Sequence, residues 1–129
     1  MWSTMPPPSL ELLEQLKSSL PELNFTGSGK AAAARFLATD AVQSYLDYYS
    51  INFSAELPSV HHQFGCFQAA GFTLACHVWH PCEPEDSSRA EGISNKATSN
   101  RGTVWLQHGY TDHVGLCQHA IRWLLQQGY

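Results

Sequence analysis

The stretch Gly102-Thr103-Val104-Trp105-Leu106-Gln107-His108-Gly109-Tyr110-Thr111-Asp112-His113-Val114-Gly115 decides how the rest of the chain reads. Its opening, residues 102–107, is a short and nearly continuous apolar run. That is the pattern of a strand covered on both faces in a parallel sheet. Beyond the His108-Gly109 elbow, Leu116, Ala120, Ile121, Leu124 and Leu125 recur at helical spacing, and Gly128 stands where a C-terminal cap belongs. This spacing predicts a helix over about 114–127.

Upstream the period is two rather than 3.6. Phe72, Leu74, Cys76 and Val78 alternate with Thr73, Ala75 and His77, as in a half-buried strand over 72–80. A weaker alternation covers 60–69, and Ala69-Ala70-Gly71 between the two predicts a tight turn and an antiparallel hairpin. Pro81 to Arg101 is polar and lacks periodicity, as a surface loop does. A hairpin, a third strand, a glycine elbow and an amphipathic helix make the opening of an α/β domain, here 58–129.

Residues 1–57 read as an N-terminal helical extension. Leu10, Leu13, Leu16 and Leu20 form a stripe, with Ser9 placed to cap it and Pro21 to stop it. Gly27 and Gly29 mark a linker, and Ala31 to Ala34 is strong helix-forming sequence. Asp40 with Gln43 resembles a capping box, followed by the stripe Val42, Tyr45, Leu46 and Tyr49. Asn24 to Lys30 ends in Gly-Lys like a phosphate loop. However, Asn24 replaces the first glycine and Ala31 the Ser/Thr, which removes that reading.

Composition narrows the function classes. Of 129 residues, 43% are hydrophobic and 14% charged, which favours a buried, sheet-containing domain over a disordered chain. A net charge of −4 without a basic run gives nucleic acid no electrostatic footprint. Pro6, Pro7 and Pro8 interrupt the place of a secretory apolar region. The uncharged stretch Leu57–Cys82 carries His61, His62, Gln63, Gln68, His77 and His80, too many polar groups for a membrane span. The expectation is a soluble cytoplasmic protein, with Cys66, Cys76, Cys82 and Cys117 as reduced thiols.

The run His108-Gly109-Tyr110-Thr111-Asp112-His113-Val114-Gly115 resembles the HG-x-x-[ED]-H-x-G segment of the α/β-hydrolases, in the branch of monoglyceride lipases, lysophospholipases and serine aminopeptidases. The strand exit His77-Val78-Trp79-His80-Pro81 and the helix end Leu124-Leu125-Gln126-Gln127-Gly128-Tyr129 are similar to that branch as well. The likeness covers about the last 70 residues. It implies the N-terminal portion of an α/β-hydrolase fold, from a parent enzyme that cleaves a small-molecule or lipid carboxylic ester through an acyl-enzyme. It implies no cofactor and no metal.

By position, the backbone N–H of Tyr110 is then one donor of the oxyanion hole, with His108, Gly109, Asp112 and His113 supporting the loop. A small residue often stands in the family where Tyr110 stands, so its side chain bears on the acyl pocket. No G-x-S-x-G elbow is present, so nucleophile, acid and base are expected beyond Tyr129 and the chain alone is expected to be inactive. Two alternatives remain. His108-Gly109-Tyr110-Thr111-Asp112-His113 departs at Tyr110 from the H-x-H-x-D-H signature of metallo-β-lactamase-like hydrolases. The other is a non-catalytic interaction module.

Overall fold

A computed structural model of the chain describes residues 5–23, 30–81 and 101–129. The Gly27–Gly29 linker, Cys82 and the polar loop 82–100 lie outside the described residues. The elements run α1 (Leu10–Ser19), α2 (Lys30–Leu37), α3 (Asp40–Tyr48), β1 (Val60–Ala69), β2 (Phe72–Pro81), a 3₁₀ turn (Val114–Cys117) and α4 (Gln118–Gln126). The architecture is mixed helix and sheet, with one two-stranded antiparallel sheet among the described residues. None of the described helices is long and apolar enough to cross a membrane.

Local chemistry sets the helix ends. The Ser9 hydroxyl accepts from the Leu12 backbone N–H at 3.1 Å and caps α1. The capping box expected at Asp40 does not form. Thr39 is the N-cap and makes no side-chain cap bond, because its hydroxyl donates to the Phe36 carbonyl at 2.8 Å. Gln43 instead donates to the Leu37 carbonyl at 2.7 Å. Two helices end in the same double-bonded reversal. After α3, Ser50 (φ 57) donates to Asp47 and Ile51 to Leu46. After α4, Gly128 (φ 89) donates to Leu125 and Tyr129 to Leu124.

The hairpin register follows from its two-residue turn. Ala70 and Gly71 both have positive φ (50° and 81°), the primed turn whose twist suits adjoining strands. Ala69 therefore faces Phe72, Phe64 faces His77, and His62 faces Trp79. On the other edge of β1, Pro21–Leu23 runs alongside. Leu23 donates to the Cys66 carbonyl at 2.8 Å and Cys66 to the Pro21 carbonyl at 2.9 Å. The register sets Cys66 opposite Ala75 and Cys76 opposite Gly65, so the two thiols lie on opposite faces of the sheet. Cys66, Cys76 and Cys117 are free.

One hydrophobic cluster joins Leu16, Val42, Leu46, Ile51 and Phe53 to Phe64 and Ile121, and so draws on both sides of the 57/58 boundary. Each such side chain contributes about 1.5–3 kcal/mol when fully buried. The stripes rotate slightly from their sequence pattern. In α1, Leu12, Leu16 and Leu20 meet the core while Leu10 is 75% exposed. In α4 the inward residues are Ile121 and Leu125, together with Cys117 just before the helix, and Leu116 is exposed.

Two expectations need correction. The covered face of the hairpin is the one bearing His62, Phe64, His77 and Trp79, whereas Phe72 and Leu74 are exposed. Phe36 of α2, Tyr45 of α3 and Phe53 of the loop after it present rings to this face, and flat imidazoles match them better than the Leu74 side does. The third strand, 102–107, does not form either. These residues are exposed and belong to no ladder among the described residues. A strand exists through its hydrogen-bonded neighbour, and among the described residues no strand pairs with this run.

Candidate functional site

Residues 108–115 lead from the run 102–107 into α4. Asp112 donates its backbone N–H to the Gly109 carbonyl at 3.1 Å, closing a tight turn through Tyr110 and Thr111. The Asp112 carboxylate folds back over Gly109 so closely that a Cβ there would lie 2.8 Å from Oδ2. The Asp112 side chain is exposed and would have to swing aside for any larger residue at 109. His108 is exposed, and its Nδ1 donates to the Gly109 carbonyl at 2.9 Å. The Tyr110 side chain points wholly into solvent.

The far end of the turn is anchored on the helical extension. The His113 ring lies 4.8 Å from that of Tyr49, at 55°. Its Nδ1 is buried and has no hydrogen-bond partner. Gly115 is buried under the end of α3: a Cβ there would meet the Tyr49 carbonyl at 2.8 Å and His113 Nδ1 at 2.9 Å. Burial and the neighbouring Tyr48 together push the Tyr49 hydroxyl pKa up. Arg122 of α4 completes the anchor. It bonds Glu56 at 2.9 and 3.4 Å and lies 5.4 Å from the centre of the Phe53 ring.

The structure thus brings Gly109 and Asp112 together, holds His113 against Tyr49, and leaves His108 and Tyr110 on the surface. Among the described residues, no three His, Cys, Asp or Glu side chains converge as a metal site would require. The arrangement presents backbone groups of a short turn to solvent, held from behind by α3 and α4.

No protein-family model, curated protein or solved structure matches this chain. The chemistry is therefore argued from the residues alone, and they hold a second cluster that sequence spacing does not reveal.

Across the hairpin, His62 Nε2 and His77 Nδ1 are 3.0 Å apart. The pair is enclosed by rings. Phe64 stacks on His77 at 4.0 Å and 7°, Trp79 stacks on His62 at 4.5 Å and 16°, and Tyr45 of α3 stacks on Phe64 at 5.4 Å. Burial, with His61 adding to it at His62 and His62 at His77, pushes both imidazoles down to about 3. Both are neutral at pH 7. Burial likewise raises the Tyr45 hydroxyl to about 12, with a smaller contribution from Tyr49.

His77 and His80, three residues apart, lie on opposite faces as alternation requires. His80 pairs instead with His61, ring centres 5.0 Å apart. The signal that could have found the His62–His77 pair is the Ala70-Gly71 turn, which fixes the register and makes the two residues diagonal neighbours. Trp79 meets Phe53 at 5.8 Å, whereas Trp105 is 79% exposed.

Proposed function

We propose that this chain is the opening portion of a serine hydrolase of the α/β-hydrolase type, acting on carboxylic esters of lipid character. The observation that carries the proposal is the run His108–Gly115 on a turn between an extended apolar segment and a helix. The Asp112 carboxylate closes over Gly109, and the Tyr110 side chain projects clear of the protein surface. Ester cleavage builds a negative oxygen, and each backbone N–H aimed at it stabilises the transition state by about 2.7–4 kcal/mol. In this reading the Tyr110 N–H is one such donor, Asp112 and His108 stiffen the turn, and His113 fixes it to α3. The second donor, the nucleophile and its base come from beyond Tyr129.

The experiment is to read the encoding DNA past the codon for Tyr129 and express what it encodes. A product with a G-x-S-x-G elbow that is labelled by a serine-directed phosphonate supports the proposal. In that product Tyr110→Ala retains the N–H and Tyr110→Pro removes it, so only the proline variant should lose about 10²–10³-fold in kcat. The 129-residue chain alone should not turn over a p-nitrophenyl ester. Turnover by it, abolished by the phosphonate, refutes this assignment.

A further inference from the structure

We propose that the His62–His77 pair is an acid-operated latch, in which proton uptake by the two imidazoles releases α2 and α3 from the hairpin. The geometry dictates this. At 3.0 Å the two ring nitrogens share one hydrogen, with one ring donating and the other accepting through its lone pair. A first added proton places a charge inside a stack of Phe64, Tyr45 and Trp79. A second turns both facing nitrogens into donors and abolishes the bond. Phe36 of α2 and Tyr45 of α3 rest on Phe64, so the ring that stacks on His77 is also the one that holds both helices.

Among the described residues, no carboxylate lies beside the pair to compensate such a charge. From α3 the pair is faced by the Tyr45 hydroxyl, which burial keeps protonated. Asp40 and Asp47 of that helix are exposed, and Asp47 accepts from Asn52. On α2 Arg35 is exposed, and from the following loop Glu56 is engaged with Arg122. Within the hairpin the titratable neighbours are His61 and His80, which add only positive charge, and the thiols Cys66 and Cys76. A cavity of about 170 Å³ between α3 and the hairpin reaches His62, with Gln43, Asn52, His61 and Trp79 also in its walls.

The sign follows from the two lowered values. The folded state binds these protons only near pH 3, whereas an imidazole in the unfolded chain binds one near 6.5. Stability from the neutral pair is therefore complete above about pH 6.5 and is lost as pH falls toward 3. The latch opens within that window. It does not draw on the esterase reading, and a chain without hydrolase activity would carry it equally.

The test is an acid titration of the intact chain, followed by tryptophan fluorescence, helix content and hydrodynamic size, beside a His62→Phe, His77→Phe double variant. Phenylalanine keeps a flat ring in the stack and removes both titrations, while the carboxylates remain common to both proteins. The wild-type transition should take up about two protons, and the variant midpoint should move at least one pH unit lower. Should the variant not fold, ring-nitrogen NMR of the wild type decides. His62 and His77 must stay neutral to the onset of opening, well below the pH at which free imidazole charges. Equal acid midpoints, or both rings titrating near 6.5 with the fold intact, would overturn the proposal.

Discussion

A single methyl at Gly65 should detach the Pro21–Leu23 segment from the hairpin. Gly65 lies on the β1 face turned toward Leu23, and its Cβ would collide with the Pro21 carbonyl oxygen and sit 2.8 Å from both Cγ and Cδ2 of Leu23. Leu23 is only 7% exposed and has no free space to move into. Backbone relief means separating the segment from β1, which removes the bonds Leu23 N–H to Cys66 O (2.8 Å) and Cys66 N–H to Pro21 O (2.9 Å). Those two bonds contribute about 1 kcal/mol each. Re-exposing part of Leu23 costs about 1–2 kcal/mol, and the lower chain entropy of alanine returns about 0.5–1 kcal/mol.

The net cost of Gly65→Ala is then about 2–3.5 kcal/mol. With an unfolding entropy of about 2.1 cal/mol/K per residue, Tm falls by about 7–13 °C. Thermal unfolding by circular dichroism measures the loss, and amide exchange locates it at Leu23 and Cys66. Gly71→Ala is the control. Its Cβ meets nothing within 4 Å, so only the strain of φ +81° is added and the Leu23 amide stays protected. A Gly65→Ala protein that melts within about 2 °C of wild type, with both amides still protected, would refute the steric reasoning.

Among the described residues, two non-glycine residues adopt left-handed backbone, Ser50 at φ 57 and Ala70 at φ 50. Ser50→Gly and Ala70→Asn should each raise stability by up to about 1 kcal/mol, seen as a Tm gain of a few degrees, because the left-handed region favours these residues. No gain from either would mean the backbone is not held there. Val104, Trp105 and Leu106 are 44%, 79% and 48% exposed on an unpaired run, so the protein should self-associate with rising concentration. Leu106→Lys should suppress this in sedimentation runs without altering helix content. An unchanged association constant would place the contact elsewhere.

How much of this molecule is legible in its sequence depends on how far each feature reaches along the chain. The Ser9 cap and the Gly128 reversal are legible because their partners lie within five residues. The hairpin is legible from alternation and a glycine-containing turn. Which face it covers is not, since Leu74 outranks His77 on any hydropathy scale. The choice is made by Phe36, Tyr45 and Phe53, brought up by distant segments. The apolar run 102–107 announces a need for cover without naming what supplies it. Gly109 is intelligible in sequence as a turn residue, whereas Gly115 owes its place to the Tyr49 carbonyl, contributed from 66 positions earlier.

The ring column at the hairpin has an optical consequence. Tyr45 and Phe64 lie within 7° of parallel, Phe64 and His77 within 7°, and His77 and Trp79 within 12°. Chromophores fixed at such offsets by an asymmetric scaffold couple their electronic transitions and give intense near-ultraviolet circular dichroism. A collapsed chain with its helices intact would keep the far-ultraviolet signal and lose this one. The protein therefore carries its own spectroscopic witness of whether helices and hairpin are docked or merely both present.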